Sequence, residues 1–190
     1  MDGQRGVKSA PLQYDFHERL QMSQGASQSA TVESVLLDNI PGAIAVNQAS
    51  KADDKTGVDW FVRLRNGKNI GVDCKIRTQD YAERGQDDLA LETWSVVENG
   101  KTGWTRDSDK RTDYVLWLWT DTGRWCLIPF HPLCAVFSEK WQDWKLKYKH
   151  SQQYTPWNGA GYHSECVFVP RTVVWRSIYE QFGGKARGKR

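Results

Sequence analysis

Val58-Asp59-Trp60-Phe61-Val62-Arg63-Leu64, then Arg65-Asn66-Gly67, then Lys68-Asn69-Ile70-Gly71-Val72-Asp73-Cys74-Lys75-Ile76-Arg77, reads as two strands joined by a turn. On the first run Val58, Trp60, Val62 and Leu64 are apolar, and on the second Val72, Cys74 and Ile76. The odd positions, Asp59, Phe61, Arg63, Asn69, Gly71, Asp73, Lys75 and Arg77, are mostly polar or charged. A period of two is the mark of a pleated strand with one buried face. For the even positions of both strands to share that face, the register must pair even with even. A two-residue Asn-Gly turn pairs 65 with 68 and splits the apolar set. A three-residue loop with Gly67 in the left-handed conformation pairs 64 with 68 and keeps it together. In that register Asp59 lies opposite Asp73, with Cβ atoms about 4.5–5.5 Å apart. Lys75 follows two residues on, on the same face.

Two like charges placed opposite each other destabilise a ladder. Such a pair persists with a cation or an unusual proton arrangement. Two carboxylates at this distance can share a hard divalent ion such as Mg²⁺. Lys75 can then steady an attacking water or the charge that develops on a phosphoryl group. The competing reading is a solvated strand face on which Lys75 and Arg77 neutralise Asp73, since surface ion pairs are common and contribute little.

Outward from this hairpin the chain alternates helix and strand signals. Val32, Val35, Leu36 and Ile40 recur at helical spacing before Pro41-Gly42, and 43–46 is a short strand. Residues 47–57 and 78–87 read as polar loops, 89–97 as a strand, and 98–112 as a charged, Gly-containing loop. Residues 114–119 and 124–128 form a hairpin around Asp121-Thr122-Gly123. A helix over 132–148 carries Phe137, Trp141, Trp144 and Tyr148 on one face. An irregular segment precedes a strand at 166–169, and a helix from Arg171 ends at Gly183-Gly184. A short helix is expected over 14–22 and a Gly/Ser/Gln linker over 23–29. The pattern is α+β with an antiparallel-rich sheet. It divides into a loose N-terminus over 1–13, one domain over 14–182 and a basic tail over 183–190.

The 190 residues carry 26 Lys and Arg against 23 Asp and Glu, a net charge of +3. Without the tail cations Lys185, Arg187, Lys189 and Arg190, 22 basic groups face 23 acidic ones, so the basic character is a property of the tail. Such a tail touches phosphates without reading sequence, or simply keeps the chain soluble. The four cysteines form no CxxC pair, and Cys126, His131, Cys134, His163 and Cys166 match no standard zinc spacing. No apolar run reaches membrane length, and the default expectation is a cytoplasmic protein with reduced thiols. No His pairs with a Ser or Cys nucleophile in a readable triad, and no phosphate-cradling loop is present.

The segments Gly57-Val58-Asp59 and Gly71-Val72-Asp73-Cys74-Lys75 resemble the signature of the PD-(D/E)XK nuclease superfamily. Leu89-Ala90-Leu91-Glu92-Thr93-Trp94-Ser95, Gly103-Trp104 and Thr112-Asp113-Tyr114-Val115 resemble features of its phage-type members. The resemblance implies a restriction-endonuclease-like core, a central mixed sheet flanked by helices. It also implies Mg²⁺- or Mn²⁺-dependent cleavage of DNA by an endo- or exodeoxyribonuclease. On that footing Asp59 and Asp73 are the metal acids, Lys75 the motif lysine, Glu33 an acidic residue on the preceding helix, and Glu92 an additional acid. For Glu33 an exposed helix flank, and for Glu92 a solvated strand edge, are the plain alternatives. The chain departs from the pattern in three ways: Val58 replaces the proline, Asp73 stands where Glu is commoner, and a strand rather than a helix follows the motif strand.

Lys140, Lys145, Lys147 and Lys149 stand opposite the aromatic stripe of the 132–148 helix, as candidate phosphate contacts. Arg106, Lys110 and Arg111 form a second basic group, offset by Asp107 and Asp109. A homodimer would suit a nuclease that cuts both strands. The alternative function is a catalytically silent nuclease scaffold acting by binding, such as a phage-encoded inhibitor of a host defence protein. A weaker third is an accessory protein that binds nucleic acid through the lysine face and tail, with strong salt dependence.

Overall fold

A computed structural model describes residues 30–157 and 160–183. The expected helix over 14–22, the segments 1–13 and 23–29, and the tail cations lie outside the described residues.

The order is α1 (Ala30–Asn39), β1 (Ala43–Gln48), α2 (Lys51–Asp54), β2 (Trp60–Leu64), β3 (Asn69–Arg77), β4 (Asp88–Val96), β5 (Lys101–Thr102), β6 (Tyr114–Trp119), β7 (Trp125–Pro129), α3 (Phe130–Lys147), β8 (His150–Trp157), β9 (Ala160–Pro170) and α4 (Arg171–Phe182). Single 3₁₀ turns at Ala82–Arg84 and Trp104–Arg106 punctuate the connections. The first sheet runs β1-β2-β3-β6-β7 and the second β5-β4-β9-β8. β3 and β6 are parallel and every other pair is antiparallel. The mixed α+β class and the mixed central sheet therefore hold. A second sheet was not expected; its β4 and β5 lie in the crossover from β3 to β6, and its β8 and β9 follow α3.

The β2–β3 hairpin takes the three-residue loop. Trp60 pairs with Val72, Phe61 with Gly71, Val62 with Ile70 and Arg63 with Asn69. Leu64 N–H donates to Lys68 O at 2.8 Å, and Gly67 sits at φ 82°. Only glycine reaches that angle without strain, so Gly67 sets the register on which the whole face depends.

Alternation sorts the first sheet's side chains into two cores. Trp60, Val62, Val72, Cys74, Ile76, Leu116 and Leu118 pack with Val32 and Leu36 of α1 and with Ile40 just after it. Each such aliphatic side chain contributes about 1.5–3 kcal/mol of burial. On the opposite face Val115, Trp117 and Trp119 meet Leu89, Leu91, Val167 and Val169 of the second sheet and the apolar stripes of α3 and α4. The predicted α3 stripe is present: Phe137 and Trp144 are buried, and Trp141 and Tyr148 are partly buried against the same core. Both faces of the first sheet are thus covered. Cys74, Cys126 and Cys134 are buried free thiols and Cys166 is half-buried.

The segment expected to be irregular before 166 is instead β8 and the first half of β9. β8 is exposed at seven of its eight positions, so it offers no apolar alternation to read. Residues 51–54, expected as loop, form one turn of helix capped by Ser50, whose side chain accepts from the Asp53 N–H. Among the described residues no helix is long and apolar enough to cross a membrane.

Candidate active site

The β3–β6 pairing aligns Asp73 with Val115, Lys75 with Trp117 and Arg77 with Trp119. Asp73 and Lys75 therefore point toward the inter-sheet core, not to open water. Asp73 is 4% exposed. The solvated face of the competing reading is overturned by the second sheet and helices that cover this side, while the pairing of Lys75 with Asp73 that it supposed is present. Lys75 Nζ lies 2.7 Å from Asp73 Oδ1.

Asp59 joins this group with one correction. The ladder ends at the Trp60–Val72 pair. The Asp59 N–H donates to Val72 O at 2.9 Å, so Asp59 and Asp73 are neighbours at the ladder's end, not a regular cross-strand pair. The Asp59 carboxylate then accepts the Cys74 N–H at 2.6 Å. It fills the place where the next strand residue would have offered a carbonyl. Burial, and after it the Asp73 charge, push the Asp59 carboxyl up to about 7, against the opposing pull of the Cys74 N–H and Lys75. Burial works to lower the Lys75 ammonium, but its contact with Asp73 outweighs this and raises it. The cluster holds two carboxylates and one ammonium in a partly dry pocket.

Glu92 is on β4, next to the site but engaged in holding a turn. Its Oε2 accepts the Trp104 N–H at 2.9 Å and the Ser95 hydroxyl at 2.8 Å. Its own N–H donates to Thr105 Oγ1 at 3.0 Å. Gly103 packs so closely against the Glu92 backbone that a Cβ there would collide. Trp104 is a residue for which the sequence offered no role. Its ring centroid lies 4.7 Å from Lys75 Nζ and 6.0 Å from the Trp117 ring. The adjacent Cys166 is pushed up to about 12, chiefly by burial and then by Glu92, which leaves it a protonated, unreactive thiol at neutral pH.

Glu33 does not join the site. It is exposed on α1, whose buried residues Val32 and Leu36 pack against the face of β3 opposite Asp73. Among the described residues no group of three His, Cys, Asp or Glu side chains is arranged to hold a metal ion. The acids that cluster are therefore two, Asp59 and Asp73. Mg²⁺ fits such a set, since it keeps several waters and needs only one or two carboxylates alongside substrate phosphate.

The lysine face of α3 is divided. Lys145 is bound to Glu165 at 2.8 and 2.9 Å and is not available for phosphates. Lys147 lies over the Tyr148 ring and Lys149 over Phe168, each at 5.6 Å. Lys140 lies beside Glu139, Ser177, Glu180 and Gln181. Arg106, considered as a backbone contact, lies over both the Trp94 and Trp141 rings at 4.6 and 4.5 Å.

Comparison of the chain with protein-family models, curated proteins and solved structures gave no match.

Proposed function

We propose that this chain is a metal-dependent nuclease that hydrolyses DNA phosphodiester bonds, with Asp59, Asp73 and Lys75 as its reacting group. The observation that carries this reading is the pairing of two neighbouring carboxylates, one pushed up to about 7, with an ammonium 2.7 Å from the other. A buried site with surplus negative charge favours a hard cation. Asp59 and Asp73 would hold Mg²⁺ or Mn²⁺, which would supply Lewis-acid polarisation of a phosphoryl oxygen and a water of lowered pKa. Lys75 is a three-proton donor. Moving from Asp73 toward the phosphate, it would hydrogen-bond a non-bridging oxygen and stabilise charge as it builds. Asp73 keeps that ammonium protonated until substrate arrives. The two-residue acid set leaves room for phosphate oxygens as the remaining ligands.

The test is cleavage of single-stranded, duplex and branched DNA, and of RNA, with and without Mg²⁺, by the wild type and by Asp73→Ala and Lys75→Ala. Metal-dependent cleavage lost in both variants supports the reading. Activity retained in both removes it.

A second reading is favoured by the outer face of α4, where Trp175, Tyr179 and Phe182 are 37%, 72% and 45% exposed. Their spacing of four and three lines them along one side of the helix. In this reading the scaffold is catalytically silent and acts by binding, for example against a host defence protein. Tight protein association, disrupted by Tyr179→Ala and unaccompanied by cleavage of any nucleic acid, distinguishes it.

A further inference from the structure

Lys75 is held from two sides that belong to different sheets. Asp73, on its own strand, takes the ammonium at 2.7 Å. The Trp104 ring, from the loop after β5, faces the same ammonium at 4.7 Å. That ring is fixed independently of Lys75. It packs on Trp117 and Phe130, with centroids 6.0 and 6.4 Å away. Its backbone N–H is tied to the Glu92 carboxylate at 2.9 Å. The turn is further pinned by Thr105 on the Glu92 N–H and by Arg106, which donates to Thr93 O at 3.1 Å. A lysine on a four-carbon stem samples many rotamers, and one carboxylate restricts it only weakly. The negative face of an indole adds a second attraction, aimed from a different direction and strengthened by partial desolvation.

We propose that Trp104 is a positioning residue for Lys75. Its π face holds the ammonium between the sheets, and the Glu92–Trp104 turn transmits the placement of the second sheet to the reacting group of the first. The proposal rests on Lys75 being the phosphate-facing ammonium, but the contact itself is measurable without any substrate.

The experiment uses the full chain with Trp104→Leu, Trp104→Phe and Glu92→Gln. The Lys75 side-chain resonances are assigned by their loss in Lys75→Arg. In the wild type the Lys75 ε-methylene protons lie upfield of an exposed lysine because of the indole ring current. They return to the ordinary position in Trp104→Leu, stay partly shifted in Trp104→Phe, and move by a smaller amount in Glu92→Gln. In cleavage assays kcat falls about tenfold in Trp104→Leu with KM little changed, and Trp104→Phe recovers most of it. A purely structural role for Trp104 would not confine the loss to kcat. Lys75 resonances identical in wild type, folded Trp104→Leu and Glu92→Gln overturn the proposal, as does an unchanged kcat in folded Trp104→Leu. If Trp104→Leu does not fold, the Phe and Gln variants decide by the same resonances. If the wild type cleaves nothing, the nuclease reading fails alone, and the resonances still decide whether the ring holds the ammonium.

Discussion

Two buried carboxylates in this molecule each pair with a lysine, and they differ in what surrounds the pair. Glu165, on β9 of the second sheet, is 3% exposed and accepts hydrogen bonds from Thr93 Oγ1 at 2.8 Å, from Lys145 at 2.8 and 2.9 Å and from Gln152 at 3.3 Å. Burial opposes its ionisation, yet Lys145 and the hydroxyl of Thr93 hold the Glu165 carboxyl below its ordinary range. Asp73 is about as buried, and Lys75 lies as close to it, but Asp59 adds a second acid and is driven upward to about 7. One cluster is electrically complete and the other carries an acid too many. Burial and an ion pair are common to both clusters; the unbalanced charge is what sets the Asp59 cluster apart and what the proposed function rests on.

The comparison breaks most sharply at activity. Asp73→Ala should reduce Mg²⁺-dependent cleavage by about 10³-fold or more, whereas Glu165→Gln should leave kcat within about twofold. Equal losses from both, in a turnover assay on folded proteins, would erase the distinction. At the level of stability the order reverses. Glu165→Gln removes the partner of a half-buried ammonium and should cost about 2–3 kcal/mol in urea unfolding at pH 7.

The two clusters should also respond to pH with opposite signs. Glu165 has a depressed carboxyl, so its contribution is present above its ordinary value near 4.5 and is lost as pH falls below it. Asp59 has a raised one, from 3.8 to about 7. The folded state then binds more protons than the unfolded state between those values, and stability falls as pH rises through that window. Asp59→Asn, which can still accept the Cys74 N–H, should therefore stabilise the protein by about 1–2 kcal/mol at pH 8 and by nothing measurable at pH 4. Urea titrations at the two pH values read the difference. The smallest effect expected is that millimolar Mg²⁺ raises the stability of the wild type at pH 8 by about 1 kcal/mol and leaves Asp59→Asn and Asp73→Asn unmoved.

Much of the hairpin was legible because its information is local. Apolar alternation from Val58 to Ile76 and a glycine at 67 were enough to derive the register from Trp60 to Asn69, and the aromatic stripe of α3 followed from periodicity. What could not be read is what lies far along the chain. Nothing near Asp73 announces that Val115, Trp117 and the second sheet will bury its face. Lys145 looked free because its partner, Glu165, is twenty residues away. The contact of Trp104 with Lys75 spans 29 positions and depends on how a short turn is hung from Glu92. β8 escaped because an edge strand exposed at nearly every position has no buried face to impose a period. Asp59 was placed on the right face but one step past the end of the ladder, since strand ends are set by side-chain competition for backbone donors that alternation does not encode.

The parallel seam between β3 and β6 carries a consequence for how the chain acquires its structure. Between those strands the polypeptide leaves to build β4, which pairs with β9, Glu92 lying across from Cys166. Loop closure over such separations is slow. Asp59, Asp73 and Cys74 can meet as soon as a local hairpin forms, whereas the turn bearing Trp104 hangs from β4, which is flanked on its other side by β9. A nascent polypeptide would assemble its acids before the indole that faces its lysine is in place, so the cluster is completed with the second sheet and not with the hairpin.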